Sequence, residues 1–506
     1  MKRRIRREIA KEKGRIRKRL HEAVRVNLGG PVLDGANIHY ELADKSKAIS
    51  YGGLGLMARL VRKVGLAERI DKDLHLLKIH MPYHESDHVL NIVYSVLCGG
   101  QTLDDIERLR KDRVLLDALG AESLPDPTTA GDFCRRFGED PIITLMDAIN
   151  ETRLDVWGEQ PASFTAATAR IDADGSLVST LGECKEGMDI AYNGVWGYHP
   201  LLISLANTGE PLFLVNRSGN RPSHEGAARW QDRAIALCRR AGFTDILLRG
   251  DTDFSITSEF DRWSEDGVRF VFGYDARKNM IARASSAPDS LYRELERRAE
   301  REILTQQRTR PENVKDRIIT EREFKVLRPT SEELFEFEYQ PIKCKKTYRV
   351  VALRKNLSVE KGEEVLFADI RYFFYITNDM TLTPAEIVHE ARQRCNQERL
   401  IEQLKSGVRA LHAPVNTLHA NWAYMVITAL AWSLKAWLAL LLPVSPRWAD
   451  AHGEQRQRVL AMEFRKFVSA FINIPAQIIR TGRRIIYRFL AWNEWQHVFF
   501  RALDAI

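Results

Sequence analysis

The stretch from residue 165 to residue 275 limits the possible fold more than any other. Ala167–Val178, Tyr198–Ala206 and Pro211–Arg217 predict three strands, the last two joined in hairpin fashion by Asn207-Thr208-Gly209. A helix is expected from about His224 to Ala241, then a strand at Asp245–Gly250. Another helix near Ser258–Glu265 and a strand at Val268–Tyr274 complete the set. Three strands, helix, strand, helix, strand predict a mixed sheet with helices on both faces. Two of the strands run into aspartates, Asp174 before Gly175-Ser176 and Asp251 after Arg249-Gly250.

A second constraint lies far downstream, in Thr383–Gly407. Thr383 reads as an N-cap, Pro384 takes the first helical position, and Glu386 stands three residues after the cap. Gly407 is a good stop. Arg394, Glu398, Glu402 and Lys405 recur at helical steps and share one face, with Ile387, Ile401 and Leu404 on an apolar side. Alone, such a stripe is a solvated salt-bridge face. Together with Asp174 and Asp251, however, it offers two strand carboxylates and a helical glutamate able to gather divalent cations. Hard cations such as Mg²⁺ take oxygen ligands and leave room for phosphate oxygens and water. Two of them suit phosphodiester chemistry.

At these residues the chain resembles the DDE transposases of bacterial insertion sequences, which have an RNase H-like core. Arg394-x3-Glu398-x6-Lys405 matches the arginine, glutamate and lysine of that group's Y-R-E-K signature, with Ala391 where the group has tyrosine. Within the group the chain is most similar to insertion-sequence family thirteen-eighty. The likeness runs from about Tyr51 to near Arg484, through Asp174-Gly-Ser176, Gly197-Tyr-His-Pro200, Gly219-Asn220, Arg249-Gly-Asp251 and Asn421-Trp422. The resemblance implies Asp174, Asp251 and Glu398 as catalytic metal ligands for two Mg²⁺ ions, Mn²⁺ being an alternative. It also implies Arg394 and Lys405 as DNA phosphate contacts. Asp172, Asp253 and Glu402 are neighbours that stand close enough in sequence to substitute. The implied reaction is cleavage of double-stranded DNA at the element's ends and joining of the freed 3′-hydroxyls to target DNA, by a homodimer on DNA. The alternatives are an RNase H-like nuclease without strand transfer and a DNA-binding protein without catalysis.

The rest of the chain is placed around this core. Residues 1–25 hold twelve Lys/Arg and three Glu, a net of +9 within a total of +8, so the body is nearly neutral and the arm suits a polyanion. Residues 26–50 read as a linker, and a glycine pair follows at Gly52-Gly53. Residues 50–157 predict a helical region that, on the resemblance, binds DNA. The core's first part is 165–275 and its second part, with the glutamate helix, is 377–445. Between them, 276–376 predicts a β-rich insertion: a charged helix at Arg293–Arg301, then strands at Phe324–Leu327, Leu334–Tyr339, Thr347–Arg354 and Tyr372–Ile376. Relatives that process DNA ends through hairpins hold a flipped base on an aromatic of such an insertion; with no tryptophan here, the resemblance leaves that role to Tyr339, Tyr348 or nothing. Residues 446–506 are expected to be helical, making both terminal regions all-α, with Arg480, Arg483, Arg484 and Tyr487-Arg488-Phe489 mixing base and aromatic. The apolar run Trp422–Leu442 is long enough to span a bilayer, but Lys435 near its middle favours a buried core helix and no membrane. Six scattered cysteines without paired spacing, and no apolar leader, fit a reducing cytoplasm and, on the resemblance, a nucleoid-associated enzyme.

Overall fold

The computed structural model describes residues 3–26, 47–80, 82–295, 324–326, 332–356, 359–361, 364–367, 370–482 and 484–506. The linker around Gly29-Gly30-Pro31 and most of the expected Arg293–Arg301 helix lie outside them.

The predicted run of core elements is present. Strands β1 (Ala169–Gly175), β2 (Leu201–Leu205), β3 (Glu210–Val215), β4 (Ile246–Gly250) and β5 (Arg269–Tyr274) form one sheet. Its order is β3-β2-β1-β4-β5, with β1 antiparallel to β2 and parallel to β4. Two-residue periodicity puts Ala169, Ile171 and Ala173 of β1 on one face, all fully buried. Helix α2 (Ala227–Arg240) covers the sheet, burying Trp230, Ala234 and Cys238. Arg170, Asp172 and Asp174 point to the opposite face. A short helix α3 (Phe260–Glu265) links β4 to β5. Pro200 separates Trp196–Tyr198, which joins a small three-stranded sheet, from β2.

The insertion does not fold apart from this sheet but widens it. Strands β6 (Arg293–Glu294), β7 (Glu332–Tyr339), β8 (Tyr348–Asn356) and β9 (Ile370–Thr377) extend it through an antiparallel β9–β5 pairing to nine strands. Where a charged helix was expected, Arg293-Glu294 therefore pairs as an edge strand. Phe324–Val326 belongs to a separate sheet with Val359–Lys361 and Glu364–Phe367, two strands that have no clear sequence signal.

The expected glutamate helix is two segments, α4 (Pro384–Gln393) and α5 (Cys395–Glu402), followed by a π turn at Gln403–Gly407. Ile387 and Val388 of α4 pack with Leu247 of β4, Val271 of β5 and Val351 and Leu353 of β8. One helix thus clamps core and insertion strands together.

Among the described residues, helix α6 (Leu418–Leu440) is the run that composition alone would allow to cross a membrane, and it is buried in the fold from Ala420 to Leu440. It packs on β3 and on the helices Glu85–Leu97 and Glu139–Gly158. Lys435 is accommodated by donating to the carbonyls of Leu460 and Met462 at 2.7 Å each, with its ammonium over the Trp432 ring. Nearby, the buried Glu210 carboxylate takes Arg153 Nε at 3.0 Å and the indole N–H groups of Trp157 and Trp437, tying the helical region to β3.

The C-terminal region departs from the all-α expectation, whereas residues 54–158 form helices as expected. Strands β10 (Ala476–Thr481) and β11 (Arg484–Phe489) form a hairpin, and Ala48-Ile49 adds a third strand to it. Ala476 and Ile478, two apart, are buried on one strand face, and the arginines that follow also let the stretch read as a basic amphipathic helix. Gly52-Gly53 is needed here for close approach: a Cβ on Gly53 would lie 1.6 Å from the Phe471 carbonyl oxygen. The basic arm is helix α1 (Arg3–Val26), which contacts α7 (Gln496–Leu503); Ile5, Ile9 and Ile16 are half-buried, and the Arg and Lys side chains from Arg3 to Lys18 are exposed.

Candidate active site

Parallel pairing of β1 and β4, with Asp172 opposite Arg249, brings the carboxyl ends of the two strands side by side. Asp174 closes β1. Asp251 follows β4 and caps a short turn at Thr252–Phe254, its Oδ1 accepting the Asp253 N–H at 3.0 Å. Strand ends are where side chains escape the core packing yet keep a rigid base.

The glutamate helix is fixed over these ends by ion pairs beneath it. Arg249, fully buried, donates two bonds to Asp172 at 2.7 and 2.9 Å and a third to Glu390 Oε2 at 3.0 Å. Arg170 grips the same Glu390 through two bonds at 2.9 and 2.7 Å. Gln397 then reaches down to the carbonyls of Asp172 and Leu202 at 3.2 and 3.3 Å. A buried arginine–carboxylate cluster adds little net stability over apolar packing, but losing one partner is costly, so it specifies a single seating for the helix.

On that seating, Arg394 at the α4–α5 junction donates from Nη1 to Asp174 Oδ2 at 3.2 Å. The Asp174 carboxyl is pushed up to about 6, first by burial and then by the negative charges of Asp251 and Glu398, with Arg394 opposing. Asp251 is also raised, by burial and by Asp253. Lys405, carried by the π turn, is held below its ordinary value by burial, with Asp174 opposing. Asp174 thus feels the charges of Asp251, Glu398, Arg394 and Lys405, and Arg394 is the one of them bonded to it.

The neighbouring acids are placed differently. Asp172 is sealed against Arg249 and has no free face for a ligand. Glu402 accepts from the Ser406 hydroxyl and the Gln403 amide, both local. Asp253 is exposed and meets Asp251 through its backbone N–H and its charge. The donor set of Asp174, Asp251 and Glu398 is all oxygen, and the raised Asp174 marks excess negative charge that a hard cation would relieve. Among the described residues no three His, Cys, Asp or Glu side chains are closed into a metal-binding cluster.

Glu390, Arg170 and Gln397 escape the sequence reading. Glu390 precedes Arg394 by one turn, and that spacing was a usable signal; Gln397 carries none. Tyr348, a candidate for base stacking, is buried and donates to Asp261 Oδ1 at 2.6 Å, and Tyr339 packs against Tyr274. The motif glycines build the small sheet beside β1: a Cβ on Gly197 would stand 2.1 Å from the Val178 carbonyl oxygen, and one on Gly219 2.4 Å from that of Asp189. Asn421 holds the start of α6 through the N–H and carbonyl of Val415.

The profile of a family described as transposase DDE domain group 1 matches residues 36–506. No curated protein matches the chain. Among solved structures, a piggyBac transposase synaptic complex with hairpin DNA, determined by cryo-EM, overlaps at 10% identity over 84% of each chain with a TM-score of 0.35. At that score the likeness fixes neither the fold nor the site. The family match covers nearly everything after the basic helix, and the chain belongs to the DDE transposases.

Proposed function

We propose that this transposase binds the ends of an insertion sequence, cleaves the phosphodiester bonds there and joins the 3′-hydroxyl ends to target DNA. Its core is read as RNase H-like, a reading supported by the order β3-β2-β1-β4-β5 with β2 antiparallel to β1. Asp174, Asp251 and Glu398 are the residues that would hold two Mg²⁺ ions, Mn²⁺ serving as well. When bound, such a pair supplies an activated oxygen nucleophile and charge relief at the leaving oxygen. The protein's own work is positioning. Arg394 offers a planar fork to one phosphate and Lys405 a point charge to another. The Arg249–Asp172–Glu390 cluster keeps both in register with the strand ends. The observation that carries the reading is that the parallel β1–β4 pairing sets Asp174 and Asp251 at adjacent strand ends, with Arg394 of the glutamate helix bonded to Asp174. Helix α1 and the helical region 50–157 supply DNA affinity, a dimer assembles on DNA, and the enzyme works in the bacterial cytoplasm on nucleoid DNA.

The test is to incubate the purified chain and Mg²⁺ with a plasmid carrying its coding region and flanking DNA. Excised ends joined to new sites support transposition. Cut ends that never join would leave a nuclease instead.

A further inference from the structure

We infer that Arg409 is a second DNA phosphate contact beside Lys405, aimed by a strained backbone; this rests on the transposase reading above. The π turn at Gln403–Gly407 closes with the Val408 N–H on the Gln403 carbonyl at 3.0 Å. The chain then folds back on itself. Leu411 N–H meets the Leu404 carbonyl at 3.1 Å, and His412 Nε2 donates to the Lys405 carbonyl at 3.1 Å.

Within this loop Arg409 has φ 54°, and it is the single non-glycine residue in the left-handed region among the described residues. A long side chain is disfavoured there, and glycine or asparagine would sit more easily. The conformation is imposed by its neighbours: Val408 and Ala410 are fully buried and Leu411 nearly so, so the loop cannot relax without emptying the core. Strain of this kind persists where the surroundings over-determine it, and it collects at functional sites.

The side chain gives the strain a purpose. Arg153, Arg170, Arg249 and Arg394 each hold a carboxylate. Arg409 has no hydrogen bond or ion pair among the described residues, and its Nε is buried without a partner. A half-buried guanidinium whose Nε has no partner, four residues beyond Lys405, has the donors to take a phosphate through two bonds. Lys405 and Arg409 then grip successive parts of one strand, from one loop fixed to the core.

The experiment uses the full chain and a non-specific DNA duplex, with affinity followed by fluorescence anisotropy across a salt series. Arg409→Ala and Arg409→Gly are expected to weaken binding and to flatten the slope of log K against log salt by about 0.9, the share of one phosphate. Arg409→Lys keeps the charge and should keep the slope. Arg409→Gly should also melt higher than Arg409→Ala, since glycine tolerates the left-handed position. Affinity lost with an unchanged slope would make Arg409 a folding residue and overturn the inference. So would unchanged binding in the alanine and glycine variants while the wild-type chain binds. A wild-type chain with no affinity for the duplex would instead overturn the transposase reading, and this inference with it.

Discussion

Asp174 carries the most unusual electrostatics of the site, and they bear on stability as well as chemistry. Its folded value, near 6, stands above the ordinary carboxylate value near 4, so between those limits the folded state binds more protons than the unfolded one. Stability therefore falls as pH rises through that window, by about 3 kcal/mol. Asp174→Asn removes the penalty. In metal-free buffer at pH 8 the variant should melt above wild type, with the gap closing below pH 5. Adding Mg²⁺ should raise the wild-type melting temperature and leave the variant's unchanged; a variant that melts lower at pH 8 would contradict this. At this scale the sequence was legible where strand ends and helical spacing dictate position, as for Asp174, Asp251, Arg394 and Glu398. Asp172 illustrates the limit. Strand alternation puts it on the face of Asp174, but only the fold shows that Arg249 has claimed it.

Among the elements, α4–α5 does two jobs, clamping core to insertion and carrying the site, and the seating depends on ions under it. Glu390→Gln leaves Arg170 and Arg249 with one counter-charge fewer and is expected to cost about 3 kcal/mol in urea unfolding. Glu402→Gln, whose partners are local and which is exposed, should stay within about 0.5 kcal/mol of wild type. Equal losses in the two would remove the argument for a buried clamp. The start of this helix was readable because Thr383, Pro384 and Glu386 form a capping box through short-range bonds. Its end was not. The π turn depends on the Gln403 side chain accepting the Phe464 N–H at 2.9 Å, a contact 61 residues away. The β10–β11 hairpin was hidden for a related reason, since its strand state is decided by pairing with Ala48-Ile49 across the whole chain.

Across the whole molecule, charge and chemistry are separated. Residues 1–25 hold a net of +9, and the basic side chains from Arg3 to Lys18 are exposed on α1, while Asp174 and Asp251 sit at the ends of the central strands. Deleting residues 1–25 should lower affinity for duplex DNA and flatten its salt dependence, because fewer counterions are released; an unchanged slope would leave the helix no part in binding. The core's strand order was legible because each element declares itself locally, and α6 because Lys435 marks the apolar run as a core helix. The insertion's place in the sheet was not, since the β5–β9 pairing joins residues about 100 apart with no local signal. The central claim is that Asp174, Asp251 and Glu398 act together on DNA. It is tested most directly by measuring Mg²⁺-dependent cleavage of the flanked plasmid by wild type, Glu398→Gln and Glu402→Gln. The account predicts that Glu398→Gln loses cleavage by orders of magnitude while still binding DNA, and that Glu402→Gln cleaves much as wild type does. Normal cleavage by Glu398→Gln, or a Glu402→Gln chain equally dead, would contradict it.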